Sequence, residues 1–289
     1  MKDKKLLFKE KYGPYGLVAG GSDGLGAAFS EALASWGLNL IIMARNKERL
    51  DTTAARLREL YDVDVITLAV DLADYEKSKS MILGLSVSIG LLVYNAAFAP
   101  VGLFEDISEA HLSLATAVNV RTPLLLAKLL SASMIQNRRG GIILMSSLAG
   151  AQGSPKLASY AATKSFNAIL AEGLWKEMQP HGVDVVGCCT GAILTPGYQQ
   201  AIEKQTVDER TISTGEILSP GDQRNEKKAK TAPGTLSARD VAEQTIKALG
   251  KGPIVVPGRV NKLARFVLTR LLTRKAAISI MSKNTGGLS

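Results

Sequence analysis

The chain has 289 residues, 46% of them hydrophobic and 21% charged, with a formal net charge of +9. That is ample apolar material for one large core; the early apolar run Leu6-Leu7-Phe8 is too short for a secretory signal, and no run of about 18 apolar residues marks a spanning helix. The positive charge is not a nucleic-acid signature, because Lys251 to Ser289 holds eight Lys or Arg and no Asp or Glu, which leaves the rest of the chain nearly neutral.

These features lead us to expect a single cytoplasmic domain over residues 1–258 and a basic helical extension over 259–289. The only cysteines, Cys188 and Cys189, are adjacent in the apolar run VDVVGCC. Neighbours in a strand point to opposite faces, which suits two buried thiols rather than a disulfide or a metal site.

Taken in order, Gly16 to Gly20 (GLVAG) reads as a short buried strand, followed by the turn GGSDGLG and the helix-forming AAFSEALASWG. Gly20, Gly24 and Gly26 let the backbone approach a pyrophosphate, and the amides at a helix start attract its charge. With a second strand, LNLIIMAR, directly behind, the unit points to a dinucleotide site. An Asp or Glu at the end of that strand would suit the ribose hydroxyls of NAD. The chain has Arg45, Asn46 and Lys47 there, which suits the 2′-phosphate of NADP, with Ser22 as a further phosphate contact.

Helix DTTAARLRELY, strand DVITLAVDLAD, another helix and the apolar run of IGLLVYNAAFAP come next. Strands alternating with helices predict an α/β fold, a single doubly wound Rossmann-type parallel sheet with helices on both faces and its ligand at the carboxyl ends of the strands. Asp71 and Asn95 stand at such ends. The long helical stretch SEAHLSLATAVNVRTPLLLAKLLSASMI places Asn119 among apolar neighbours, where it is either an asparagine bonded to backbone at a helix bend or a functional group. His111 has no second histidine at a metal-binding spacing.

The run GIILM then reads as a buried strand with Ser146 and Ser147 at its carboxyl end, and ASYAATKSFNAILAEGLWKEM reads as a helix. Tyr160 and Lys164 are four apart on that helix and share a face. A lysine ammonium beside a phenol favours phenolate and lowers a pKa that is ordinarily about 10, which makes Tyr160 a usable general acid. A serine hydroxyl at that strand end can hold a substrate oxygen or serve as a capping or turn serine.

Together these residues resemble the short-chain dehydrogenase/reductase family over roughly Leu17 to Thr195. The family's TGxxxGxG turn is matched by Ala19-Gly20-Gly21-Ser22-Asp23-Gly24-Leu25-Gly26, its NNAG by Tyr94-Asn95-Ala96-Ala97, and its helix asparagine by Asn119. Its serine is matched by Ser147, its YxxxK by Tyr160 and Lys164, and its PGxxxT by Thr190-Gly191-Ala192-Ile193-Leu194-Thr195. The resemblance implies metal-free hydride transfer between NADP(H) and a carbonyl or secondary alcohol. In that scheme Ser147 holds the substrate oxygen, Tyr160 supplies the proton, and Lys164 binds the nicotinamide ribose. Asn119 links Lys164 to solvent through its backbone and a water. Asp71 and Leu72 would border the adenine, Asn95 and Ala96 the cofactor ribose, and Gly191, Ile193 and Thr195 the carboxamide. Ala19, Ala97 and Thr190 depart from the family pattern, and none of these changes removes a proton-transfer group.

Residues 196–235 form a long polar stretch, with QQAIEKQTVDER as a short amphipathic helix candidate, that is expected to cover the substrate. SARDVAEQTIKAL and IVVP predict a last helix and an edge strand. The tail GRVNKLARFVLTRLLTRKAAISIMSK mixes apolar and basic residues in a helical pattern. It can lie on an anionic membrane as a weak surface contact, or pack its apolar face on the core or a second subunit, which is the expectation adopted; the terminal NTGGLS should fray.

The reading is thus of an NADPH-dependent reductase of a fairly apolar ketone, 3-oxoacyl, steroid-like or polyketide-like, working as a homodimer or homotetramer without nucleic acid. The alternative is a cofactor-binding regulatory or scaffold protein on the same fold.

Overall fold

The structure, a computed structural model, describes residues 2–195 and 232–285. Helix α1 (Lys2–Tyr12) precedes β1 (Tyr15–Ala19), α2 (Gly24–Ser35), β2 (Asn39–Ala44), α3 (Lys47–Tyr61), β3 (Val65–Ala69), α4 (Tyr75–Leu83) and β4 (Ile89–Tyr94). Next come α5 (Glu109–Thr116), α6 (Thr122–Gln136), β5 (Gly140–Ser147), α7 (Ala158–Met178), β6 (Val183–Thr190) and β7 (Ile193–Leu194). After the break follow β8 (Leu236–Ser237), α8 (Ala238–Ile246), β9 (Ile254–Val255), α9 (Arg259–Phe266) and α10 (Arg274–Thr285). The substrate-covering stretch, with its helix candidate, lies outside the described residues over 196–231, as do residues 286–289.

Seven strands make one sheet in the order β3-β2-β1-β4-β5-β6-β9, every pairing parallel. The order reverses between β1 and β4, so their carboxyl ends open the crevice in which doubly wound sheets bind ligands. The strands read as continuous apolar runs because both faces are covered. Val18, Ile42, Val93 and Ile143 join the core beneath α2 and α8, while Leu17, Ile41, Leu92 and Ile142 join the core beneath α6 and α7. The cysteines obey the same alternation: Cys188 packs in the first core and contacts the Thr245 hydroxyl at 3.0 Å, and both thiols are free and buried.

Two elements were not foreseen. Helix α1 forms although its sequence is mostly charged, because Phe8 and Tyr12, one turn apart, pack their rings together at a tilt and Phe8 reaches Trp36. A small second sheet pairs β7 with β8. The run 109–136 is long and apolar enough to cross a membrane by length and composition, although Asn119, Arg121 and Thr122 interrupt its apolar residues. Half of its apolar window is buried inside the fold, and Thr122 Oγ1 donates to Leu72 O at 2.6 Å, so it is a core helix.

Candidate active site

The glycine turn is built as its residues require. Gly20 (φ +80°) and Gly24 (φ +51°) occupy the left-handed region, and a Cβ at Gly26 would stand 1.7 Å from Gly20 O. Asp23 caps α2 by accepting from Gly24 N at 2.7 Å, and Leu25 is buried below. Across the crevice the amides of Asn95 and Ala96 donate to Ala19 O, and Asn95 Nδ2 donates to Gly20 O at 3.2 Å. The motif position filled by Ala19 therefore ties β1 to β4 through its carbonyl, without a side-chain hydroxyl.

These residues enclose a cleft of about 460 Å³. Of the residues named for the cofactor, Gly20, Ser22, Asp23, Arg45, Asn46, Asp71, Leu72, Asn95 and Ala96 line it, whereas Gly24, Leu25, Gly26, Tyr160, Lys164, Gly191, Ile193 and Thr195 do not. Lys47 does not; its ammonium is held by Asp51 at 2.5 Å. In its place Arg49 enters the lining, bonded to Asp23 Oδ2 at 2.6 Å, while Asn46 caps α3 by accepting from Arg49 N. Arg49 was visible in the sequence as the third member of a basic cluster after β2, but only the first turn of α3 aims it inward. Glycines where side chains cannot fit, a helix amino-terminus and two guanidinium groups fit a dinucleotide phosphate.

Beside this cleft, at the carboxyl end of β5, stand Ser147, Tyr160 and Lys164. The Ser147 side chain is hydrogen-bonded to that of Tyr160. Lys164 is 3% exposed and donates from Nζ to Met145 O at 3.1 Å, with the nitrogen 5.6 Å from the Tyr160 ring centre. Burial pushes the Lys164 pKa down from 10.5 to about 8. The expected lowering of Tyr160 is absent here: burial of the phenol pushes its pKa up, and the Ser147 hydrogen bond only partly offsets that. A desolvated lysine that is itself driven toward neutrality is a weak source of positive potential. Ser146 is separated from Ser147 in role, being buried with its hydroxyl on Lys164 O at 2.6 Å.

Asn119 sits in a widened π-type turn over Ala117–Arg121 that joins α5 to α6. It is fully buried; its Oδ1 accepts from Phe98 N at 2.8 Å, and its Nδ2 donates to Phe98 O at 2.7 Å and to Thr163 Oγ1 at 3.1 Å. Asn167 Nδ2 donates to Asn119 O at 2.9 Å. Asn119 thus clamps the loop after β4 to α7. Thr163 and Asn167 were missed, although Tyr160, Thr163, Lys164 and Asn167 form a polar stripe at the one-turn spacing of a helix. Gln152 and Ser154, in the loop between Ser147 and Tyr160, were also missed; both are buried, and their side-chain polar atoms have no partner among the described residues.

At the far side Thr195 closes on the glycine turn, where a Cβ at Gly24 would meet Thr195 Cγ2 at 3.3 Å. Ile193 packs against the core. Gly191 faces Asn261 of α9, whose buried amide donates to Gly234 O and Pro257 O at 3.0 Å each; a Cβ at Gly191 would stand 2.5 Å from Asn261 Oδ1. Among the described residues no group of His, Cys, Asp and Glu is placed to hold a metal.

A family model described as short chain dehydrogenase matches residues 16–206. A very-long-chain 3-oxoacyl-CoA reductase of Laccaria bicolor is 34% identical over 183 residues, covering 62% of this chain and 54% of that protein. A 7beta-hydroxysteroid dehydrogenase of Clostridium sardiniense is 30% identical over 182 residues, covering 63% of this chain and 70% of that protein. The chain therefore spans about half the length of the reductases it matches. Among solved structures, one concerned with 7beta-hydroxysteroid dehydrogenase stereoselectivity superposes with a TM-score of 0.81 at 25% identity, covering 94% of this chain and 98% of that one. A Sphingobium yanoikuyae short-chain dehydrogenase in complex with NADPH gives 0.67 at 26% identity, over 84% and 87% of the two chains.

Proposed function

The chain belongs to the short-chain dehydrogenase family, and we propose that it is an NADPH-dependent carbonyl reductase acting on a fairly apolar ketone, a 3-oxoacyl or steroid-like compound. The observation that carries this reading is the contact of the Ser147 and Tyr160 side chains close to a buried Lys164, on the fold whose glycine turn and arginines line a cleft. When bound, the reduced nicotinamide supplies the hydride. Ser147 holds the substrate oxygen, and Tyr160, kept protonated by its burial, delivers the proton to that oxygen as negative charge develops on it. Lys164 would hold the nicotinamide ribose hydroxyls, and Asn119, whose backbone carbonyl accepts from Asn167 one turn beyond Lys164, keeps the loop after β4 against α7. Arg45 and Arg49 support NADP over NAD, since each offers a guanidinium where a 2′-phosphate is neutralised.

The substrate class is supported by the names of the relatives, which concern long acyl chains and steroids. Association of subunits is supported by Leu124 on α6 and Ile169 on α7, apolar side chains 38% and 63% exposed on the outer faces of these helices. The test is absorbance of the reduced nicotinamide, with NADPH and with NADH, across ketones from small to 3-oxoacyl thioesters and steroids. Consumption of NADPH that stops in Tyr160→Phe supports the reading. Tight NADPH binding without turnover on any ketone replaces it with a regulatory or scaffold role.

A further inference from the structure

Helix α9 does not pack its apolar face against the body. Val260, Leu263 and Phe266 are 53%, 63% and 53% exposed, and Leu271, in the turn that follows, is 65% exposed. Their spacing puts the first three on one outward arc. What α9 buries instead is Asn261, while Arg265 turns inward and donates to Cys189 Sγ at 2.7 Å. Within α9, then, polar side chains anchor the helix to the body and the three apolar ones face out, while farther along the tail Ala277 is buried and Val267 and Ile278 are half-buried.

Arg259, Lys262 and Arg270 are exposed around that arc, and none of them enters an ion pair among the described residues. The sequence supplies no Asp or Glu anywhere from Lys251 onward. Large apolar side chains ringed by uncompensated cations are complementary to a surface that is anionic at its rim and apolar beneath it. A second copy meeting this face would set like charges against each other, which opposes association.

We propose that the arc of Val260, Leu263, Phe266 and Leu271, with Arg259, Lys262 and Arg270, docks the protein reversibly on an anionic lipid bilayer. The docked face adjoins the substrate side of the fold. Arg265 reaches Cys189 near the carboxyl end of β6, and Arg274 Nη1 donates to Ala151 O at 2.9 Å just beyond β5. Leu6 and Leu7 of α1 are also exposed, and α1 is net basic, with five Lys against Asp3 and Glu10, but it meets the opposite end of the sheet, where Tyr12 donates to Asp184 at the start of β6. A flat bilayer against α9 leaves α1 in water. Binding is read without turnover, so the inference stands apart from the reductase reading.

The test is flotation of the full chain with vesicles of phosphatidylcholine alone and of phosphatidylcholine mixed with phosphatidylglycerol. Binding is expected only to the mixed vesicles, and it should fall steeply with salt. The triple variant Arg259→Gln, Lys262→Gln, Arg270→Gln should weaken partition about a hundredfold, at about fivefold per charge. Leu263→Ser with Phe266→Ser should weaken it by a similar factor, on the order of tenfold for each side chain. Thermal melts and reduction of a small soluble ketone should be unchanged in both variants, since none of these residues lines the cleft. Failure to float with mixed vesicles, or flotation that neither variant weakens, overturns the proposal. So does a change of oligomeric state by light scattering in the Leu263/Phe266 variant without any vesicle binding by the native chain, which makes the face a contact between copies.

Discussion

Replacing Lys164 by methionine should stabilise the cofactor-free protein while ending its activity. The ammonium is 3% exposed, has one side-chain hydrogen bond, to Met145 O, and no carboxylate pairs with it among the described residues. Burial lowers its pKa from 10.5 to about 8, and at about 1.4 kcal/mol per pH unit that displacement corresponds to on the order of 3 kcal/mol. Below about pH 8 native and unfolded chains both hold the proton, and the charged form weighs fully against folding. Between about 8 and 10.5 the unfolded chain holds a proton that the native chain has lost, so the stability of the native sequence rises with pH across that window. Lys164→Met lacks this rise. Its melting temperature near neutral pH should exceed that of the native chain by roughly 6–12 °C, and the gap should close as pH approaches the upper end of the window. Circular dichroism melts without cofactor, near neutrality and near the alkaline end, measure both quantities. A variant that melts at or below the native chain at neutral pH, or a gap equal at both ends, refutes the argument that this lysine is an uncompensated buried cation.

Tyr160→Phe should lower kcat for ketone reduction by about 10²–10⁴, with unchanged melting and retained NADPH fluorescence. Because burial holds the phenol above its ordinary pKa, reduction by the native enzyme should stay level through neutral pH and decline only in alkali, in a pH profile of kcat. Arg45→Asp should raise the KM for NADPH roughly tenfold to a hundredfold, the size of a charge-assisted phosphate bond, and narrow the gap to NADH. Asn119→Leu leaves the Phe98 amide and carbonyl unpaired and should cost about 2–4 kcal/mol in denaturant titration. Gln152→Met removes two buried polar atoms that have no partner among the described residues and should raise the melting temperature by roughly 2–4 °C; a fall would show that the amide is held.

The parallel sheet was legible in the sequence because a strand covered on both faces is apolar throughout, and each such run ended at a turn or a polar residue. Helix α7 was legible to its ends, Ala158 and Met178, for the opposite reason: its composition favours helix over its whole length. Helix α1 was not, since Phe8 and Tyr12 reveal their purpose only once Trp36 arrives from elsewhere in the chain. The same holds in the site. Ser147, Tyr160 and Lys164 could be named because sheet ends and helical spacing are local facts. Whether Lys47 or Arg49 turns toward the cleft depends on where α3 begins and on which carboxylate is near. The net field on Tyr160 depends on how deeply Lys164 is buried, and spacing carries no information about depth.

The pairing of Ile193 with Leu236 and of Leu194 with Ser237 holds two distant points of the chain side by side. Whatever sequence joins them starts and finishes at fixed posts that lie outside the seven-stranded sheet. The register of that sheet is set by its own pairings, so the fold uncouples the length of chain between Leu194 and Leu236 from the sheet itself.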